Sequence, residues 1–543
     1  MAAYAGLALL AFAILFHGIG DIGILDGNES LYVEAAREML QTGDWAVPTL
    51  DGLPYLEKPP LFVWLLAAAS HSGFSIEGAA RLVSGAAVLV LALGVGRYAL
   101  RLGIEGRGIV APFVLLTSLG VAIMGRVAMP DLLLTALFGL ACLGFLMALH
   151  EGRARPARIA AGLLGAASLV KGALPIALFA LIVAACYAIE KPWRPAIRRL
   201  LGDPVAIALL CLPICIWLVA IDTALPGAAS YFIVEEHVLR FLGLREPHDY
   251  YSGSPLYYLP RLFLFFFPWP AALAAGWLAK RHCGDAGQRR VRRYLWLCVW
   301  IPLSFFSLSN AKANYYIVVC LPAMALLTAD ALPALLEPRR RVAQAIAVLL
   351  PGALLAGVVV VAMTGAGGNA AALLAPLRDG GAAGTGLALA ALSAGALAFV
   401  TARRGALAFA LLGFSSLPLL LEVQRLAVDA DASISARAAA VYIRSHYDPE
   451  TPVYLFEDFE SAGALPIYLG RTVPVVDSKS NDLHYGRRVL RRHPSLVGAD
   501  GVPRNAVVVV LKNRRADFAR SPLAARSVSV VDIGRAGLYL VAD

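Results

Sequence analysis

Long apolar stretches recur about thirteen times along this chain, and that repetition decides its class before any motif is read. Of 543 residues, 59% are hydrophobic and 15% charged, more apolar surface than a soluble core can use. The pattern predicts a mainly α, polytopic transmembrane helix bundle. Spans are expected near residues 2–19, 79–100, 108–124, 132–149, 159–170, 173–189, 205–221, 256–279, 294–308, 315–335, 342–363, 385–401 and 406–422, several shorter than the roughly 20 residues that a crossing helix needs. The first lacks a basic leader and reads as a retained helix.

Charge gives the orientation. Basic runs such as Arg198-Arg199, Arg289-Arg290, Arg292-Arg293, Arg339 to Arg341 and Arg403-Arg404 fall in alternate loops, as expected on the cytoplasmic side. With the N-terminus inside, residues 21–78, 223–255 and the tail after about 425 lie outside. The expected division is a transmembrane domain over 1–424, with its loops 21–78 and 223–255 forming an outer functional face, and an external α/β domain over 425–543. In that tail a helical pattern runs to His446, with strands near 453–456, 473–476, 506–511, 528–533 and 537–541 and a basic helix near 487–492. The Ala/Gly-rich stretch 365–386 reads as a loop. The net charge of +10 follows the cytoplasmic loops, so it implies attraction to membrane lipids and no nucleic-acid partner.

A second set of cations stands alone on the outer side: Lys58, Arg81, Arg126, Lys171, Arg240 and Lys312. Lysine occurs only seven times in the chain, yet three of those seven are in this set. Charges at such positions are costly unless they meet a partner, and converging ammonium and guanidinium groups predict an anionic ligand such as phosphate. No GxxxxGK[ST] loop is present, so no nucleotide cofactor is expected.

Four constellations accompany these cations. Asp26 to Glu29 reads as a capping box opening an amphipathic surface helix, or as an acid site serving as base or metal ligand. Glu57-Lys58-Pro59-Pro60 combines a turn with a rare lysine. Arg126 to Asp131 reads as an ion pair tightening the join of two spans. The run Glu235 to Phe241, with His248, Tyr250 and Tyr251, offers His237 as a metal ligand if Glu57 joins it. Leu262 to Trp269 predicts an aromatic belt on a helix kinked at Pro268 or a groove wall for an isoprenoid chain. Cys283 reads as a thiol on the reducing side and the other cysteines as inert buried thiols; Cys211 and Cys215 have metal-pair spacing but no accompanying His or acid.

Taken in order, Asn28-Glu29-x-x-Tyr32, Gly43-Asp44-Trp45, Tyr55 to Pro60, Arg126 to Asp131, Lys171-Gly172, His237-x-x-Arg240-Phe241, Pro268-Trp269 and Ser309-x-x-Lys312 resemble the bacterial aminoarabinose transferase and protein O-mannosyltransferase group, polytopic C-type glycosyltransferases. The resemblance runs to about residue 336. It implies a bacterial inner-membrane enzyme that transfers a sugar, with inversion, from a polyprenyl-phosphate donor to lipid A, another glycolipid or a protein on the periplasmic face. It also implies donor-phosphate binding by Lys58 and Arg240 with Lys171, Lys312 and Arg126 nearby, a divalent cation held by Glu57 and His237, and an acidic role for Asp131. Where the group commonly carries Asp-Glu, this chain has Asn28-Glu29, and Leu31 replaces an arginine. Asparagine is no base, so either Glu29 or Asp26 takes that role or the acceptor arrives already anionic. A flippase of the same lipid is the alternative outside enzymes, and it would require a polar path across the membrane.

Overall fold

The structure is a computed structural model describing residues 2–542 except 105, 107, 248–252, 281–283, 365–381 and 491. His248, Tyr250, Tyr251, Cys283 and most of the stretch 365–386 lie outside these residues. Five described helices are long and apolar enough to cross a membrane: Ile76–Arg101, Pro130–Glu151, Pro204–Ala224, Asn314–Leu335 and Gly405–Asp429. Two bent pairs, Leu174–Ile189 with Lys191–Leu201 (113°) and Pro255–Phe265 with Pro270–Lys280 (94°), raise this to seven. Among the described residues, five to seven of the thirteen expected crossings thus have that length and composition. The stretch 108–124 is split into Val110–Leu116 and Leu119–Met124, because the Thr117 and Ser118 hydroxyls turn back onto the carbonyls of Phe113 and Val114, each at 2.6 Å. The first apolar helix, Ala2–Phe16, has 15 residues.

Helix Pro130–Glu151 is buried nearly all round, whereas Pro204–Ala224 leaves most of its apolar surface outward. A helix at the centre of a bundle and one facing lipid have the same composition and differ only in neighbours.

The outer segment after the first helix makes helix Glu29–Thr42, closed by Gly43 in the left-handed conformation (φ 72°), then a small hairpin, β1 Thr49–Leu50 and β2 Leu53–Pro54, then the nine-residue helix Leu61–Ala69. Helix Glu29–Thr42 does not lie bare on the membrane. The two acids of its polar face are covered, Glu34 and Glu38 being 0% and 3% exposed, while Gln41 is exposed. Glu34 pairs with Arg37 at 2.6 Å, and Glu38 accepts from the Thr49 hydroxyl at 2.5 Å and from the Gly52 amide.

Residues 453–541 carry a six-stranded sheet: β3 Val453–Phe456, β4 Val475–Val476, β5 Leu496–Val497, β6 Val507–Leu511, β7 Ser527–Ile533 and β8 Ala536–Val541, ordered β5-β4-β3-β6-β8-β7. The first four are parallel, and β8 pairs antiparallel with both β6 and β7. All five residues of β6 are buried, as suits the apolar run of a strand covered on both faces. The basic helix forms at His484–Val489 and the preceding helix at Arg437–His446. In parallel sheets the loops leaving the strands' carboxyl ends are the usual ligand-facing edge. Here the loops after β3, β4 and β6 share a cavity with one end of the helical bundle.

Candidate active site

Two cavities meet at this boundary. A polar chamber of about 290 Å³ is bounded by residues of the bundle and the sheet, and an apolar groove of about 450 Å³ runs from it between Phe232, Phe241, Leu174, Phe305 and Phe306. Glu57, Lys58, Lys171, Arg240, Ala311 and Tyr316 line both. Chamber and groove are thus continuous.

At the junction Glu57 gathers cations. Its Oε1 accepts from Arg245, and its Oε2 lies 3.6 Å from Arg240 and 3.7 Å from Lys58. Glu236 shares the two arginines, at 2.9 Å from Arg245 and 3.2 Å from Arg240, and accepts from the Tyr231 hydroxyl at 2.8 Å. Burial opposes the charge on Glu57, but Arg245, Lys58 and Arg240 outweigh it and hold the carboxyl at about 2. Burial, reinforced by Arg240, brings the Lys58 ammonium down to about 8. Lys58 itself has loose contacts: the carbonyl of Glu57 at 3.2 Å and the carboxylate at 3.7 Å. A cation so held is poised for an anion.

Across the chamber Lys171 pairs with Asp131 at 2.6 Å and lies 4.5 Å from the Tyr316 ring centre. Asp131 sits in the first turn of helix Pro130–Glu151, where the amide dipoles favour a carboxylate. Its second oxygen is buried with no hydrogen-bond partner among the described residues.

The expected site residues divide sharply. Asn28, Glu57, Lys58, Asp131, Lys171, Arg240 and Lys312 line the chamber; Asp26, Glu29 and Arg126 do not. No capping box forms. The helix begins at Glu29 with Asn28 at its cap and no side-chain cap bond. Asp26 instead accepts from the Ala464 amide at 2.8 Å and from Arg535 at 2.5 Å, and burial, partly offset by Arg535, raises its carboxyl to about 7. Glu29 is bound at both oxygens by Arg81 (2.9 and 2.8 Å) and by the amides of Ala128 and Leu25. Arg81 spends its remaining donors on the carbonyls of Ile19, Ile22 and Gly23, at 2.7 Å each.

Arg126 and Asp131 form no pair. The arginine reaches the carbonyls of Ile14 and His17 and the amide oxygen of Gln424, because Asp131 lies across the chain turn beside Lys171. Lys312 lines the chamber but directs its ammonium to the carbonyls of Phe306, Ser307 and Ser309 (3.2, 2.9 and 2.8 Å), closing the end of helix Ala286–Leu308.

The Glu57 and His237 pair does not fit a divalent cation. The Ala173 amide donates to His237 Nε2 at 3.1 Å, so Nδ1 carries the proton and donates to the Phe232 carbonyl at 2.8 Å. Both ring nitrogens are occupied, and Glu57 is surrounded by cations. No group of three or more His, Cys, Asp or Glu side chains suited to a metal occurs among the described residues. The Leu262 to Trp269 run is also displaced from the site. Leu262 and Phe263 border a separate apolar cavity of about 400 Å³ with Trp277, Trp296 and Trp300, while Trp269 is buried and donates to Thr117 at 3.1 Å.

Two contributions escaped sequence reading. Arg245 is an isolated outer arginine like those singled out, four residues beyond Phe241, and the same criterion finds it. Asp458, Glu460, Ser461, Asn481, Asp482 and Arg514 line the chamber from the sheet's loops; nothing local in the sequence joins them to Lys58.

No family model matches the chain. In sequence it is 32% identical over 341 residues to undecaprenyl phosphate-alpha-4-amino-4-deoxy-L-arabinose arabinosyl transferase 2 of Pseudomonas fluorescens, covering 60% of this chain and 58% of that protein. It is 31% identical over 350 residues to the corresponding transferase of Aeromonas salmonicida, covering 62% and 61%. The matched region spans about three-fifths of these relatives' length. In structure the chain is similar to ArnT from Cupriavidus metallidurans in the apo state, with a TM-score of 0.77, 21% identity and full coverage of both chains. It is similar also to that protein bound to undecaprenyl phosphate, with a TM-score of 0.77, 19% identity and 99% coverage of each. These relatives carry the name of the group that the short motifs resemble, and the fold similarity extends beyond the part in which the motifs occur.

Proposed function

We propose that this chain is a membrane glycosyltransferase that moves a sugar from an undecaprenyl-phosphate carrier to a glycolipid acceptor, lipid A being the first choice, on the periplasmic face of the bacterial inner membrane. One observation carries the reading: a chamber with Lys58, Arg240 and Arg245 at its mouth opens directly into an apolar groove. That pairing matches the two halves of a polyprenyl phosphate. The relatives' names supply the carrier and the sugar.

In this reading the prenyl chain lies in the groove and the phosphate meets Lys58 and Arg240. Charge that develops on the departing phosphate is then met by cations already held in place. Glu57 and Glu236 keep the arginines aimed without reaching the phosphate themselves. Asp131, with one oxygen unclaimed, is the carboxylate that would take the proton of a hydroxyl acceptor; an acceptor phosphate would need little such help. Asn28 contributes a neutral polar contact in the chamber. The remaining apolar helices of the bundle complete the membrane crossings, with 425–543 on the periplasmic side.

The test uses purified full-length protein with undecaprenyl-phosphate-linked aminoarabinose and either lipid A or a protein acceptor. Transfer to lipid A that is lost in Lys58→Ala and Arg240→Ala supports the reading. Transfer to protein alone selects an O-mannosyltransferase-like role instead. Wild-type rates in both variants would remove the phosphate site.

A further inference from the structure

We propose that the external domain supplies a subsite for a positively charged amine on the transferred sugar, with Asp482 as its specificity-determining carboxylate. The inference rests on the transferase reading and assigns the domain a part in substrate choice.

The topology provides the placement. Asp458 and Glu460 follow β3, Asp482 follows β4 and Arg514 follows β6, all at the carboxyl edge of parallel strands and all on the chamber. They share the chamber with Lys58, Arg240 and Arg245, so the bundle's cations and the sheet's acids line one space.

These acids are not equivalent. Asp458 lies 3.5 Å from Arg514 and accepts from the Ser461 amide and hydroxyl. Glu460 receives the Asp482 amide at 2.8 Å. The Asp482 carboxylate has neither ion pair nor hydrogen bond among the described residues. Burial, then the Glu57 and Glu460 carboxylates, push it well above the usual carboxylate range against the pull of Lys58 and Arg245.

An independent observation points to a ligand in the same space. Asp131 is 2% exposed, lines the chamber from the bundle and leaves one oxygen unpartnered. That oxygen, like the Asp482 carboxylate, has nothing to accept from among the described residues, so the chamber suits a ligand that donates. An ammonium group offers three donors and a positive charge, which answers Asp482, while the Asp131 oxygen stays open for the acceptor hydroxyl. A neutral N-acylated sugar offers one donor and no charge.

The experiment measures binding and turnover with full-length protein in detergent, using undecaprenyl phosphate, its 4-amino-pentosyl derivative and the N-acetylated form of that derivative. Wild type should favour the amine over the acetamide by about 10- to 100-fold, the range of one charge-assisted hydrogen bond. Asp482→Asn should bring that ratio close to one, with undecaprenyl phosphate binding unchanged. Asp482→Glu should restore part of the preference, which a merely structural role would not do. A ratio equal in wild type and Asp482→Asn overturns the subsite. If wild type shows the amine preference in binding and Asp482→Asn loses it, but no sugar is ever transferred, the subsite stands and the transferase reading fails.

Discussion

Glu29 with Arg81 and Glu57 with Lys58, Arg240 and Arg245 are both buried carboxylate–cation clusters built on the same outer segment, yet they have opposite designs. In the first every donor is answered: Arg81 reaches two carboxylate oxygens and three carbonyls, and Glu29 also takes two amides. It has no face on either cavity. The second puts three cations around one carboxylate and opens onto a chamber and a groove. A closed network fastens chain segments together. An open one leaves charge for something that is not protein.

The largest effect expected from breaking this contrast is structural. Arg81→Ala strands a buried Glu29 and should remove about 3–5 kcal/mol of stability, seen as a large fall in the melting temperature of detergent-purified protein. The same change at Lys58 should leave melting nearly unaltered. If the two variants melt alike, the division between fastening and binding clusters is wrong.

Next comes Asp131→Asn, which should lower turnover on a hydroxyl acceptor by about 100-fold or more, in line with general-base contributions. Glu29→Gln, corrected for folded fraction, should change turnover by less than about threefold. Equal rates for Asp131→Asn and wild type would mean that the acceptor arrives ionised.

A smaller effect sharpens the open cluster itself. In the proposed reading Lys58 binds phosphate as an ammonium, and its value of about 8 in the free protein requires kcat/KM to fall as pH rises through that point. The sign is fixed because deprotonation removes the binding charge, whereas a sugar phosphodiester keeps one negative charge throughout. In Lys58→Arg the guanidinium stays charged, so this alkaline limb should vanish from the rate profile even if the maximal rate is lower. A limb that persists in that variant assigns the titration to another group.

The smallest effects belong to residues removed from the site. Asp26→Asn should leave turnover within about threefold and weaken only the contact with Arg535. Lys312→Met should alter stability through the three carbonyls it caps, by about 1–2 kcal/mol, while donor KM stays unchanged. A raised donor KM in Lys312→Met would return that ammonium to the phosphate.

Membrane character was legible because apolar composition does not depend on context, and the strands of the tail were legible because runs such as Val507–Leu511 are short, β-branched and bounded by turns. Crossings were less so. An apolar stretch names a helix that avoids water; it does not say whether hydroxyls such as those of Thr117 and Ser118 interrupt it. Among site residues, Lys58, Arg240, Lys171 and Asp131 could be singled out as isolated charges in an apolar chain. The fates of Arg126, Lys312, Glu29 and His237 could not, because a charge that caps carbonyls and a charge that binds a ligand look alike until the partners are seen.

By itself the sequence determined the solvent: so many apolar residues with so few charges suit lipid rather than water. It also singled out isolated cations that need partners, since each is too costly to leave alone in the membrane. Which of them meet was decided by the tertiary structure. Residues 57, 131, 171 and 240 are separated by tens of residues, and Asp482 is further still from each of them. Bringing the C-terminal sheet's loops onto the end of a helical bundle depends on long-range packing, and no local pattern of residues encodes it.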